Sequence, residues 1–152
     1  MWYRGLVGPR AVSAAREAWQ CVAELFMSQE MQHRFHEACE AADLTPPQLK
    51  ALISLERGPA ASMRALAEGW RCDASWVTGI VDGLEQRGYV ERQTHPTDRR
   101  VKVVALTPLG QKAKGRALER LYEPPASFSA LTPSDQVQLR DLLAKVRPPE
   151  RA

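Results

Sequence analysis

The chain has 152 residues, of which 44% are hydrophobic and 26% charged, with a formal net charge of +3 and a sequence pI of about 8.9. That composition excludes intrinsic disorder, and no apolar run approaches the ~20 residues needed to span a bilayer. The length suits one folding unit over residues 1–152 with a substantial core, and the mild basicity is compatible with nucleic acid without establishing it.

Met1-Trp2-Tyr3-Arg4-Gly5 lacks the charged-then-apolar order of a secretory signal, so export is not expected. From about Arg10 to Ala42 the apolar positions Ala15, Trp19, Val22 and Phe26 recur at helical spacing and continue less regularly through Met31 and Phe35, which predicts one long first helix. Thr45-Pro46-Pro47-Gln48 supplies an N-cap, a proline at the first helical position and a glutamine three residues after the cap. The second helix it opens, carrying Leu49, Leu52 and Ile53, ends at Gly58-Pro59.

Ser62 is placed to cap a third helix with Leu66 and Ala67, and Asp73 a fourth from Ala74 to about Arg87. The fourth helix puts Val77, Ile80, Val81 and Leu84 on one face and stops at Gly88. Two short helices across a tight turn make a helix-turn-helix pattern. Beyond Gly88 the period becomes strand-like over residues 89–93 and again over 99–106, with the polar turn Thr94-His95-Pro96-Thr97-Asp98 between them. Two strands with a basic tip form a wing. A fifth helix starts at Thr107-Pro108 and ends before Pro124-Pro125, and Thr132-Pro133-Ser134-Asp135 caps a sixth through Val146.

The expected fold is therefore mainly α with a small β-hairpin wing. A winged helix-turn-helix lobe over residues 44–106 is flanked by helical regions over 10–42 and 107–147. The first and last helices carry apolar stripes larger than a small lobe covers by itself, which points to a homodimer.

An α-helix fits the major groove of a duplex, and a narrow basic loop reaches the minor groove. Opposite the apolar face of the fourth helix lie Ser75, Gly79, Asp82 and Gln86, with Trp76 and Thr78 on the flanks. Ser75, Trp76, Thr78 and Gly79 are the major-groove candidates. Ser75 and Thr78 can hydrogen-bond bases or phosphates, and the Trp76 indole suits a thymine methyl, although packing against Trp70 would explain it as well. Gly79 and Gly83 each cost the helix up to about 1 kcal/mol relative to alanine; close backbone approach to DNA is one reason for them and chance another. Asp82, an acid facing phosphates, is expected to pair with an arginine of the same chain. In the wing Arg92, Arg99, Arg100 and Lys102 outnumber Glu91 and Asp98, and an arginine entering a narrow minor groove gains from the negative potential there.

Leu66-Ala67-Glu68, the run from Asp73 to Arg92, Pro96-Thr97-Asp98-Arg99-Arg100 and Leu106-Thr107-Pro108-Leu109-Gly110 resemble, in order and spacing, the MarR family of bacterial winged helix-turn-helix transcriptional regulators. The likeness is densest from about Leu44 to Gly110. It implies a cytoplasmic homodimer whose first, fifth and sixth helices interlock, with two lobes reading a pseudo-palindromic double-stranded DNA site as a repressor. It also implies that the helix from Ala74 to Arg87 is the recognition helix, that Arg100 enters the minor groove with Arg99 beside it, and that Asp98 supports the wing. Two departures stand out: Arg71 where the turn often has glycine, and Trp76 where a smaller polar residue is common. Family members commonly bind small aromatic or phenolic molecules between dimerisation helices and DNA-binding lobes, but no ligand residue is readable in the sequence.

Cys21, Cys39 and Cys72 form no C-x-x-C pair and fit a reducing compartment. Some relatives sense peroxide through a cysteine on the first helix supported by tyrosine hydroxyls. This helix contains no tyrosine, so Cys21 is expected to be packed in the interior rather than reactive. His33 and His36 have a spacing that could hold a metal, yet lack partners at ligand spacing and are read as ordinary surface or interface residues. No cofactor is expected. No Walker loop, G-x-S-x-G or H-E-x-x-H occurs, so nothing favours an enzyme. The alternative is a winged-helix module that binds another protein and not DNA.

Overall fold

A computed structural model describes residues 13–55 and 60–146. The chain forms two compact units, one through Tyr122 and one from Glu123 onward.

The first unit opens with α1 (Ala14–Phe26) and α2 (Gln29–Ala42), where the periodicity predicts a single helix; its expected start at Arg10 lies outside the described residues. The break at Met27-Ser28 needs neither proline nor glycine. Ser28 takes an extended backbone and its hydroxyl accepts from Met31 N, so a local side-chain bond competes successfully with helix continuation. α2 ends at Asp43, which is left-handed at φ 53°, a conformation aspartate tolerates better than most residues.

α3 (Pro46–Ser54) follows its proline start, with the Gln48 carboxamide accepting from Thr45 N at 3.1 Å. The expected stop at Gly58-Pro59 lies outside the described residues. α4 (Met63–Trp70) is capped by Ser62 and α5 (Ala74–Gln86) by Asp73. Between them Arg71 is left-handed at φ 54°, so the turn keeps the geometry in which glycine is usual although the residue is not glycine. A β-carbon costs about 1 kcal/mol there, and Arg71→Gly should raise stability by roughly 0.5–1 kcal/mol after its extra freedom in the unfolded chain is allowed for. A lower thermal midpoint for that variant would show that the arginine side chain contributes more than its backbone costs.

The wing is β2 (Val90–Thr94) paired antiparallel with β3 (Lys102–Leu106), Val90 opposite Leu106 and Thr94 opposite Lys102. A two-residue strand, β1 (Ala61–Ser62), adds to the far edge of β3 through Ala61–Val104 and Ser62–Val103 pairs. The sheet is thus three-stranded rather than a bare hairpin. α6 (Pro108–Tyr122) begins where the Thr107 hydroxyl accepts from Gly110 N at 3.0 Å.

The core gathers Leu49 and Leu52 of α3, Val77, Val81 and Leu84 of α5, Val90 and Val104 of the sheet, and small residues of α2 and α6 (Ala38, Ala42, Ala113, Ala117). Those small residues let α2 and α6 pack closely. Tyr89 donates its buried hydroxyl to Ala42 O at 2.9 Å and so joins the start of β2 to the end of α2.

α1 has no fully buried residue, and its Trp19 and Phe26, with Met27 just past its end, are each at least 70% exposed. Cys21 is exposed as well, which corrects the expected packing; it lies on the face of α1 that the described residues leave open, while Val22 and Ala23 are half-buried. Cys39 of α2 is the buried thiol, and burial pushes its pKa up. The second unit contains a short 3-10 helix (Ala126–Ala130) and α7 (Pro133–Val146). α7 is capped as its sequence predicts, the Asp135 carboxylate accepting from both Thr132 N and Thr132 Oγ1. No described helix is long and apolar enough to cross a membrane.

Candidate nucleic-acid interface

α5 buries Val77, Ile80, Val81 and Leu84 and leaves Ser75, Trp76, Thr78 and Gly79 exposed. Its N-terminus is fixed by Asp73, whose Oδ1 accepts from Trp76 N at 2.8 Å and from the Ser75 hydroxyl at 2.5 Å. These two bonds, the Ser75 hydroxyl first, hold the Asp73 carboxyl below the usual carboxylate range. Thr78 turns its hydroxyl back onto Ala74 O at 2.8 Å. Both side chains retain oxygen lone pairs, but their protons are already donated. At Gly79 a β-carbon would meet nothing within 4 Å, so bare backbone faces outward. Gly83 differs: a β-carbon there would lie 2.1 Å from Gln48 Nε2. The Gln48 carboxamide of α3 therefore occupies the space beside that glycine.

Trp76 is 45% exposed and meets Trp70 edge-on, with ring centroids 6.5 Å apart and planes at 82°. Both sequence readings of this residue therefore stay open, since the contact leaves nearly half its surface in solvent.

Asp82 has the arginine partner expected of it. Arg92, reaching across from β2, is ion-paired to Asp82 and also bonded to Glu85 through its other terminal nitrogen, and Glu85 Oε1 accepts from Arg92 N at 3.0 Å. Desolvation opposes the charge on this guanidinium, but the carboxylate hydrogen bonds outweigh it and raise the pKa. Arg92 is thus withdrawn from the positive tip to which its sequence position assigned it. It bridges the two acids of α5, offsetting one of their two charges, and ties the wing's first strand to that helix. At the C-terminal end of α5, Arg87 donates to Asp43 O at 2.6 Å and Gly83 O at 3.2 Å.

The wing tip is built by backbone bonds: His95 N to Val101 O and Val101 N to Asp98 O, each 3.0 Å. The Asp98 carboxylate accepts from Arg100 N at 3.0 Å, an aspartate turn that sets the backbone on which Arg99 and Arg100 stand. Both arginines are exposed, and neither side chain has a partner among the described residues. Lys102 is less free, its Nζ lying 3.0 Å from Thr94 Oγ1 across the hairpin.

Away from this face, a cavity of about 630 Å³ lies among α1, α2, α3 and α6, its walls including Phe26, Phe35, Ile53 and Leu121. Lys50 is the cation of its described lining and stands 5.8 Å from the centroid of the Phe35 ring. His33 of α2 faces Glu37 at 3.3 Å.

A family model described as the MarR family matches residues 44–102, from the residue before α3's cap through the wing tip. The HTH-type transcriptional repressor MdtR of Bacillus subtilis is 30% identical over 124 residues, covering 78% of this chain and 77% of that protein. A Thauera aromatica protein named for transcriptional regulation of the hcr operon is 32% identical over 104 residues, covering 68% of this chain and 63% of that protein, just under two thirds of its length. Among solved structures, the YusO protein of Bacillus subtilis superposes with a TM-score of 0.69 at 28% identity, covering 91% of this chain and 97% of that one.

Proposed function

The chain belongs to the MarR family of transcriptional regulators, and from that premise we propose that it acts as a homodimer, in the cytoplasm, that binds a pseudo-palindromic double-stranded DNA site and represses transcription. The observation that carries the reading is the pairing of an outward-facing α5 N-terminus with a wing tip whose Arg99 and Arg100 have no partner among the described residues. Ser75, Trp76, Thr78 and Gly79 enter the major groove, while Arg100, set by Asp98 and flanked by Arg99, enters the minor groove. Pairing of Asp82 and Glu85 with Arg92 offsets one of their two negative charges and so reduces the repulsion these acids would offer to phosphates.

Dimerisation is supported by α1, none of whose residues is fully buried among the described residues and whose Trp19 and Phe26 are largely exposed. It is supported independently by α7, whose Leu142 and Val146 are 59% and 75% exposed; a second copy would cover such apolar surfaces. The regulated step is release. A small aromatic or phenolic effector in the cavity near Phe26, Phe35 and Lys50 would bind one lobe arrangement more tightly than the other and so lower DNA affinity.

Selection of bound duplexes from a random pool tests the whole reading. An inverted repeat is expected, bound by a species of twice the chain mass in light scattering, with affinity reduced when a phenolic acid is added. A monomeric mass at micromolar concentration would overturn the dimer. The absence of any enriched duplex would overturn DNA binding and favour a protein-binding module.

A further inference from the structure

Base readout by α5 has few free polar groups to draw on. The Ser75 and Thr78 hydroxyl protons are spent on Asp73 and Ala74 O, and Gly79 has no side chain. Trp76 is the large side chain left open on this stretch, and its indole N–H has no partner among the described residues.

The ring of Trp76 is also held. Trp70, the last residue of α4, meets it edge-on, and Trp70 Nε1 donates to Ser54 Oγ at 2.8 Å. The Ser54 hydroxyl in turn donates to Ala51 O at 2.7 Å, and Ala51 is buried in the core. A continuous chain of contacts therefore runs from α3 through the end of α4 to the third residue of α5. An aromatic side chain fixed in advance loses little freedom on binding, and an indole presents apolar surface with a single donor. In the major groove the matching apolar feature is the C5 methyl of thymine.

We propose that Ser54 and Trp70 are positioning residues that hold the Trp76 indole as a reader of a thymine C5 methyl in the major groove. The preference at that base pair is then carried by a methyl group rather than by a donor–acceptor pair. This rests on the DNA-binding reading above.

The test takes a duplex recovered from the random pool and replaces thymine by uracil one position at a time, which removes the methyl and nothing else. One position in each half-site should lose about fourfold in affinity, and the doubly substituted duplex about fifteenfold. Trp76→Ala should abolish the thymine/uracil ratio. Trp70→Phe and Ser54→Ala should bring it towards one while leaving uracil-duplex affinity and the salt dependence unchanged, a pattern that simple destabilisation would not produce. Ser54 is exposed, so its alanine variant carries the test if Trp70→Phe fails to fold. Equal binding of thymine and uracil duplexes at every position would overturn the methyl readout with DNA binding intact. A full ratio retained in both positioning variants would overturn their role. Recovery of no duplex at all would remove the underlying reading together with this one.

Discussion

Replacing Gly110 by alanine is expected to destabilise the protein by about 2–4 kcal/mol, at the upper end of what overpacking costs. A β-carbon at this position would stand 2.0 Å from Tyr89 O, 2.8 Å from Tyr89 C and 2.9 Å from Leu106 Cδ1. The Leu106 methyl can move, but the Tyr89 backbone cannot readily do so. Its carbonyl accepts from Thr107 N at 3.0 Å, its N–H donates to Leu84 O at 3.0 Å, and its side chain is bonded to Ala42 O. Moving Tyr89 away would therefore loosen the end of α5, the start of β2 and the end of α2 together. Gly79→Ala provides the contrast, because a β-carbon there meets nothing within 4 Å and alanine is the better helix former by up to about 1 kcal/mol. Thermal melts at one protein concentration should lower the midpoint of the first variant by several degrees and leave the second unchanged or higher. A Gly110→Ala midpoint within two degrees of the parent would show that α6 slides away from Tyr89 at little cost.

Replacing Arg100 by alanine should lower affinity for the selected duplex by roughly ten- to a hundredfold for each half-site, the range for loss of one good arginine contact. It should also flatten the salt dependence by about one unit per wing, since each lost cationic contact releases one fewer counterion. Folding should be unaffected: the side chain is exposed, and the bond from the position-100 N–H to Asp98 survives in alanine. Arg99→Ala should cost less. Arg92 is a useful counterpart, because its guanidinium is committed to Asp82 and Glu85; substitution there should weaken binding by exposing those acids and freeing the wing, with a measurable loss of stability. Unchanged affinity in Arg100→Ala would refute its minor-groove role, and an unchanged salt slope with weaker binding would make it a structural residue.

Much of the lobe was legible before any coordinates. The caps at Ser62 and Asp73, the apolar face of α5 and the Thr107-Pro108 start of α6 are all local signals, set within one helical turn. The break between α1 and α2 was local too, but its signal was a single serine without glycine or proline, and the apolar spacing on either side concealed it. β1 could not be read at all: Ala61-Ser62 is a strand because Val103 and Val104 lie alongside it. The period of α5 alone places Ser75, Trp76, Thr78 and Gly79 on its exposed side. That Ser75 and Thr78 had already donated their protons, and that Trp70 braced Trp76, were not visible in that period.

Arg92 shows where the boundary falls. Its sequence neighbours are wing residues, and its charge reads as part of a basic tip; ten and seven residues upstream, Asp82 and Glu85 claim it instead. By itself the sequence determined which residues form helices, where those helices start, and which face of each is apolar, because periodicity and capping act between residues at most four apart. Tertiary structure alone decided which charges are paired, why Gly110 must lack a side chain, and that Trp19 and Phe26 of α1 lie exposed. Those outcomes depend on contacts between segments distant in the chain, where burial, not spacing, selects the partner.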